Sequence, residues 1–169
     1  LHEWYERQGW ATDFLHYGTP ARRIAESIPA NRRMLLIHNV KATKEDIATI
    51  EQHFTNGVYW VLCPESNRFI SRTEPPVETL RNAGVKIAIG TDSLASARHL
   101  SMVENMRLLG DIPLDELLIW ATRNGAEALG LEASLGDIRV GTSPGIVVIE
   151  GADLQNMRVT DQTRSRRII

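Results

Sequence analysis

Residues 35–40 read LLIHNV, an apolar run that ends on a histidine and an asparagine. Together with Met34, the run is too short for a globular helix and is flanked by polar residues. It therefore predicts a strand over residues 34–40 that is buried on both faces. Two similar runs follow, VYWVLC at 58–63 and VKIAIG at 85–90. His38 thus stands at the end of the first of three predicted strands.

The segments between these runs have helical patterns and no hairpin turn signals. KATKEDIATIEQHF at 41–54 carries apolar residues at three- and four-residue spacing, with Thr43 as the predicted cap. A second helix is predicted from Pro75 and Pro76 to the stop signal at 82–84. This alternation predicts an α/β fold in which parallel strands are joined by right-handed crossovers.

Helical patterns also lie outside the alternation. Residues 3–16 contain no proline and one glycine, with spaced tryptophans, which predicts a helix of about three turns. Residues 113–131 predict one long helix with Pro113 as its first residue. Glycines and Pro144 then break the chain into short pieces, and GIVVIEG at 145–151 is a predicted strand of another kind.

Composition excludes several classes of partner. The 169 residues include 19 basic and 21 acidic side chains, a net charge of −2, so nothing favours binding to nucleic acid or to anionic lipid. No apolar run approaches the roughly 20 residues that span a bilayer. Cys63 is the single cysteine and has no disulfide partner in the chain, which leads us to expect a reducing, cytoplasmic location. The start at Leu1, in a stretch rich in functional side chains, leads us to expect a piece of a longer polypeptide.

Polar residues follow all three predicted strands. His38 ends the first, CPESN at 63–67 follows the second, and TDS at 91–93 follows the third. The carboxyl ends of parallel strands meet at one edge, so these side chains should converge there. An imidazole and a carboxylate suit Zn²⁺ or Fe²⁺ with an acidified water, whose proton Asp92 can accept. Taken singly, His38 is typical of a structural or solvent-facing residue, and Asp92 can be a helix cap.

In this order the motifs resemble the metal-dependent amidohydrolases, in the branch of cytosine and guanine deaminases, S-adenosylhomocysteine deaminases and triazine chlorohydrolases. The matching segments are LLIHNV, CPESNRFI, IAIGTDSLAS and ATRNGAEALGLEASLGDIRVGTSPGIVVIEG. The resemblance implies the C-terminal half of a (β/α)8 TIM barrel, about strands six to eight with their helices, in residues 1–135. It implies part of a small β domain in residues 136–169.

The resemblance also implies residue roles. Asp92 would be a metal ligand and the proton acceptor, and His38 would orient the water or the substrate and approach the metal. Members carry His-x-x-Glu at the end of strand five, and Leu1-His2-Glu3 resembles its last three positions. Glu3 would then be the proton shuttle, and the ligand histidine would precede Leu1. In the alternative alignment His2 is the ligand and Tyr5 replaces the glutamate, while Glu3 alone can also be a first-turn acid.

Four positions near the second and third strands have weaker claims. Asn67 would line the substrate pocket, although an asparagine in a turn is an equally good interpretation. Arg68 and His99 are candidates for substrate contact, or exposed loop residues. Cys63 is expected to be a small core residue without chemistry.

The implied function is hydrolytic deamination of a nitrogen-rich heterocyclic small molecule, or its dechlorination or amide hydrolysis. One Zn²⁺ or Fe²⁺ would act per active site, with the remaining ligands upstream of the chain. The His-x-His pair of strand one has no counterpart here, so the chain alone should be inactive and its partner should be the N-terminal half of the barrel. A homo-oligomer is also expected. The alternatives are a non-catalytic amidohydrolase-like scaffold or assembly subunit, and a flavodoxin-like open sheet.

Overall fold

A computed structural model describes residues 2–168, apart from the side chains of Phe14 and Leu15. Leu1, part of the predicted strand-five motif, lies outside this range. The strands are β1 (Met34–Ile37), β2 (Val58–Leu62), β3 (Ile87–Ile89), β4 (Val147–Glu150) and β5 (Arg164–Arg167). The helices are α1 (His2–Arg7), α2 (Pro20–Ser27), α3 (Lys44–His53), α4 (Pro64–Ile70), α5 (Val77–Asn82), α6 (Met102–Leu108), α7 (Leu114–Ala121) and α8 (Arg123–Leu129), with a 3-10 helix at Asp13–Tyr17.

The first three strands form one parallel sheet in the order β1-β2-β3. Leu36 lies opposite Trp60, and Trp60 lies opposite Ile87. The cap predicted at Thr43 begins α3, where the Thr43 hydroxyl accepts from the Asp46 backbone N–H at 3.1 Å, and the Asp46 side chain completes a capping box. The predicted parallel α/β arrangement is confirmed, and strand order follows chain order.

Helices pack on one face of this sheet. Leu36, Trp60 and Ile87 share that face and form one buried cluster with residues of α3, α5, α6 and α7. Leu35 and Ile37 point to the other face, called the open face below, and are 38% and 52% exposed. The prediction that β1 is buried on both faces is therefore wrong. All four residues of β1 are apolar, so the sequence does not distinguish a strand covered on one face from a strand covered on both.

The last part of the chain forms a second sheet. β4 and β5 pair antiparallel, and all four residues of β5 are exposed. Arg107 on α6 ties this part to the helices, because its Nε donates to the Thr160 carbonyl at 3.0 Å and its Nη2 to the Thr163 carbonyl at 2.9 Å. The predicted boundary between residues 135 and 136 falls between α8 and β4 and stays a prediction.

The predicted helix over residues 3–16 is wrong. α1 ends at Arg7, Gly9 takes a left-handed φ of 68°, and the chain folds back so that the Trp10 N–H donates to the Tyr5 carbonyl at 3.0 Å. The rings of Trp4 and Trp10 then meet edge to face, 4.8 Å between centroids.

The single helix predicted over residues 113–131 is also divided. Pro113 precedes the helix, with ψ 140°, and Thr122 has φ −128° and ψ −78° between α7 and α8. Both helices contact β3, and the Asn124 side chain on α8 donates to the Ile87 carbonyl at 2.6 Å. The break coincides with the packing of both helices against β3. The apolar periodicity of the sequence continues across Thr122 and therefore does not indicate the break.

Candidate active site

His38 lies directly after β1 in an uncommon backbone conformation. Its N–H donates to the Val61 carbonyl at 3.0 Å, which continues the ladder between β1 and β2. His38 has φ 71° and Asn39 has φ 47°, both in the left-handed region that disfavours side chains with a Cβ. The Asn39 amide donates to the Ile37 carbonyl at 3.0 Å and holds this turn. Such outliers are concentrated at functional sites, so the turn is a candidate for function.

Asp92 follows β3 with a third left-handed backbone, φ 60°. The hydroxyls of Ser66 and Ser96 donate to its Oδ2 at 2.6 and 3.2 Å. The Ser66 hydrogen bond above all, with help from Ser96 and from the nearby His38, lowers the pKa of Asp92 below its ordinary value, while burial opposes the shift. The carboxylate is therefore fully charged at neutral pH.

The structure brings His38, Asn67 and Asp92 together. His38 Nε2 lies 3.5 Å from Asp92 Oδ2, and His38 Nδ1 lies 2.8 Å from Asn67 Oδ1. The side chains of His38 and Asp92 are 39% and 29% exposed, so both reach solvent at the carboxyl edge of the sheet. An imidazole and a carboxylate at this separation can share a proton, a water molecule or a metal ion.

The first turn of α4 lies on the buried side of this group and forms hydrogen bonds with it. Ser66 and Asn67 are 0% and 1% exposed, and Pro64 occupies the first helical position. Asn105 on α6, itself buried, accepts a hydrogen bond from the Glu65 N–H at 3.2 Å. The role of Asn67 in substrate contact stays a prediction, and the structure gives this side chain another partner, His38.

Sequence reasoning did not find Ser66. A lone serine in CPESN does not by itself indicate a hydrogen bond to a carboxylate that follows another strand. The available signal was its position, one residue before Asn67 after a strand.

The two candidates in α1 are not joined to this group. His2 Nε2 lies 3.5 Å from Glu6 Oε1, one turn along the helix. Glu3 is exposed in the first turn, and within residues 2–168 its carboxylate forms no hydrogen bond with His38, Asn67 or Asp92. Their roles as metal ligand or proton shuttle stay predictions.

A cleft of about 1050 Å³ adjoins the group through Ser96. Arg68 and His99 line it, together with Phe69 and Leu94. Arg68 Nε donates to Glu74 at 2.7 Å, so a substrate would have to compete with Glu74 for this guanidinium. The predicted substrate contacts of Arg68 and His99 stay predictions.

Burial raises the pKa of the Cys63 thiol to about 11, and the nearby Asp92 carboxylate adds to the shift. The thiol is protonated at neutral pH and is a poor nucleophile.

His38 and Asp92 offer donors that fit part of a metal site. Zinc binds imidazole nitrogen and carboxylate oxygen and takes four ligands in most protein sites. Within the described part of the chain, no group of three or more His, Cys, Asp or Glu side chains has the spacing of a metal site. The donor types therefore suit Zn²⁺ or Fe²⁺, and a complete ligand set would need further donors.

Among residues 2–168, no helix has both the length and the apolar character that crossing a lipid bilayer requires.

Known proteins resemble the chain in sequence and in fold. It is 34% identical over 128 residues to the 5-methylthioadenosine/S-adenosylhomocysteine deaminase of Moorella thermoacetica, covering 69% of this chain and 29% of that protein. An adenosine deaminase of Helicobacter pylori is 36% identical over 57% of this chain and 25% of its own length. The chain thus spans about a third or less of these curated relatives.

Solved structures also resemble the chain in sequence and in fold. The crystal structure of an adenosine deaminase from Xanthomonas campestris with bound zinc matches 82% of this chain and 34% of its own, with a TM-score of 0.70 and 30% identity. A zinc complex of atrazine chlorohydrolase from Arthrobacter aurescens matches 80% of this chain and 32% of its own, with a TM-score of 0.68 and 26% identity. The model of the amidohydrolase family matches residues 4–169, and the chain therefore belongs to the amidohydrolase family.

Proposed function

We propose that residues 1–135 form the C-terminal half of a (β/α)8 barrel, about strands six to eight, and that residues 136–169 are part of a small β domain. Strand order equal to chain order and helices packed on one face support this assignment. A flavodoxin-like sheet has helices on both faces, whereas the barrel places side chains inside and helices outside. In a complete barrel the open face of β1 would line the interior.

The proposed activity is hydrolytic deamination of a nitrogen-rich ring compound by metal-activated water. The observation that carries it is the pair His38 and Asp92, 3.5 Å apart at the carboxyl ends of parallel strands. Deaminases among the relatives support removal of an amino group, and the likeness to atrazine chlorohydrolase supports dechlorination as the alternative reaction.

The residues divide the chemistry between them. Asp92 and the Nε2 atom of His38 would hold part of the metal site, and the ion would supply a water that is acidic enough to react near neutral pH. The Asp92 carboxylate accepts the proton of the attacking water, because Ser66 and Ser96 keep it ionised. His38 orients the attacking water. Glu3 would pass a proton to the ring nitrogen, a step that needs α1 placed beside the bound ring.

The test is Asp92→Ala in the full-length polypeptide that contains this chain. The substrates are methylthioadenosine, S-adenosylhomocysteine, adenosine and guanine, assayed by ammonia release, and atrazine, assayed by chloride release. We expect turnover to fall by about 10³-fold or more, with the melting temperature within a few degrees of the parent. Asp137→Asn is the control, since that carboxylate pairs with Arg123 away from the site.

Activity of Asp92→Ala within a few fold of the parent would remove Asp92 from the chemistry. Zinc and iron are measured by mass spectrometry on the same samples. A parent protein with neither bound metal nor turnover would contradict the deaminase proposal and favour the non-catalytic scaffold.

A further inference from the structure

We propose that Asn67 is a positioning residue that holds His38 as its Nδ1–H tautomer, so that the Nε2 lone pair faces Asp92. The catalytic value of this arrangement rests on the proposed function, whereas the tautomer itself does not. The proposal replaces a direct substrate contact of Asn67 with an action through His38.

The contacts of Asn67 indicate which ring nitrogen of His38 carries the proton. Its side chain is 1% exposed, and Oδ1 lies 2.8 Å from His38 Nδ1. With the amide in this orientation its carbonyl oxygen faces the ring, and because a carbonyl oxygen only accepts hydrogen bonds, we assign the proton to Nδ1. The hydrogen bond made by one ring nitrogen fixes the state of the other, which leaves Nε2 without a proton in the neutral ring. Neutral imidazole in water favours the opposite tautomer.

Within the described residues, Asn67 Nδ2 is buried and makes no hydrogen bond. An unsatisfied buried donor destabilises the folded protein. In the reverse amide orientation Nδ2 would donate to His38 Nδ1 and leave the ring proton on Nε2, so the measured tautomer of His38 decides between the two orientations.

The arrangement prepares the space between His38 and Asp92. With Nδ1 protonated, the Nε2 lone pair and the Asp92 carboxylate are two acceptors 3.5 Å apart. Two acceptors that face each other need a proton, a water molecule or a cation to bridge them. In the other tautomer Nε2–H would donate to Asp92, and the two side chains would satisfy each other.

The backbone of α4 keeps Asn67 in place. Its N–H donates to the Cys63 carbonyl and its carbonyl accepts from the Ser71 N–H, both at 2.9 Å. The preceding residue, Ser66, fixes Asp92 at 2.6 Å. One turn of helix therefore positions both members of the pair.

The test is long-range proton–nitrogen NMR of the ¹⁵N-labelled chain at about pH 8.5, above the ordinary imidazole pKa of about 6.5. We expect His38 to carry its proton on Nδ1. Asn67→Ala should convert His38 to the Nε2–H tautomer, and Asn67→Asp, which retains the acceptor, should not. His53 is the internal reference, because its Nε2 lies 2.8 Å from the Ile28 carbonyl and should stay protonated in every variant.

Asn56→Ala is the matched control, since that exposed amide donates to the Asn31 carbonyl, before β1 and away from His38. If Asn67→Ala loses its dispersed spectrum, Asn67→Leu takes its place. An Nε2–H tautomer in the parent chain, or an unchanged tautomer without the amide, overturns the proposal.

Kinetics of the full-length polypeptide give a second readout. A positioning role predicts that Asn67→Ala lowers kcat by about 10- to 100-fold with little change in KM. A raised KM with unchanged kcat would indicate that Asn67 contacts the substrate directly, and it would overturn the positioning role. An inactive parent would contradict the proposed function and leave the tautomer result standing.

Discussion

At the scale of single residues, the site combines strained backbone with chemically competent side chains. His38, Asn39 and Asp92 all have positive φ, a conformation that costs stability in a non-glycine residue and costs least in asparagine and aspartate. The two strained turns follow β1 and β3, where the imidazole and the carboxylate meet. The chain therefore gives up stability at the place where the proposed chemistry occurs.

Replacement of His38 by asparagine should separate function from stability. Asparagine tolerates a left-handed backbone better than most residues, so we expect the free energy of unfolding in urea to change by less than about 1 kcal/mol. Turnover of the full-length polypeptide should fall by about 10²- to 10⁴-fold, because the orienting group is lost. Activity within a few fold of the parent would make His38 a residue that only ends a strand.

Sequence alone located His38 and Asp92, because each follows an apolar run too short to be a helix. Parallel strands then place their ends together. Ser66 and the partner of Asn67 were not predictable in this way, since hydrogen-bond partners depend on side-chain directions across α4 and the sheet. The position of Glu3 relative to the site depends on where α1 packs, and no pattern in the sequence specifies that.

At the scale of elements, Arg107 joins α6 to the residues before β5. Hydrogen bonds from a charged donor contribute about 1.5–3 kcal/mol, and Arg107 makes one to each of two carbonyls, those of Thr160 and Thr163. We expect Arg107→Met to lower the free energy of unfolding by about 2 kcal/mol or more, and to speed amide hydrogen exchange in β4 and β5. Arg166→Met, an exposed residue of β5 paired with Glu150, is the control and should change stability by less than about 1 kcal/mol. Equal effects of the two substitutions would contradict the anchoring role.

The same anchor predicts a pH dependence. The Arg107 guanidinium holds the pKa of Glu104 below its ordinary value of about 4.5. A lowered folded-state pKa adds stability that is complete above the ordinary value and is lost as pH falls through the folded value. Arg107→Met should therefore lose stability less steeply than the parent below about pH 4.5 in urea titrations. Parallel pH curves would contradict the coupling.

Helix boundaries show where sequence reasoning stops at this scale. The cap at Thr43 was predictable because its hydroxyl and the Asp46 carboxylate act within one turn of the chain. The break at Thr122 was not, because it accompanies the packing of two helices on β3.

At the scale of the whole molecule, the parallel sheet has one covered face and one open face. Leu36 on the covered face is 6% exposed, whereas its neighbours Leu35 and Ile37 on the open face are far more accessible. Exposed apolar surface of this kind favours association with another surface. The expected homo-oligomer of the isolated chain would use this face.

Substitutions on alternate faces of β1 test this expectation. Leu35→Thr with Ile37→Thr should reduce self-association in sedimentation experiments and change the free energy of unfolding by less than about 1 kcal/mol, because threonine suits a strand. Leu36→Ala should cost about 2–5 kcal/mol and leave the association unchanged. A parent chain that sediments as a monomer at every concentration would contradict the prediction.

The consecutive residues Ser66 and Asn67 have a mechanical consequence. Each forms a hydrogen bond with one member of the reactive pair, Ser66 with Asp92 and Asn67 with His38. Because both lie in the same helical turn, a small displacement of that turn shifts the imidazole and the carboxylate in a common direction. The gap between them should fluctuate less than the position of either group relative to the rest of the protein. Thermal motion should therefore change the position of the pair more than the distance between its two side chains.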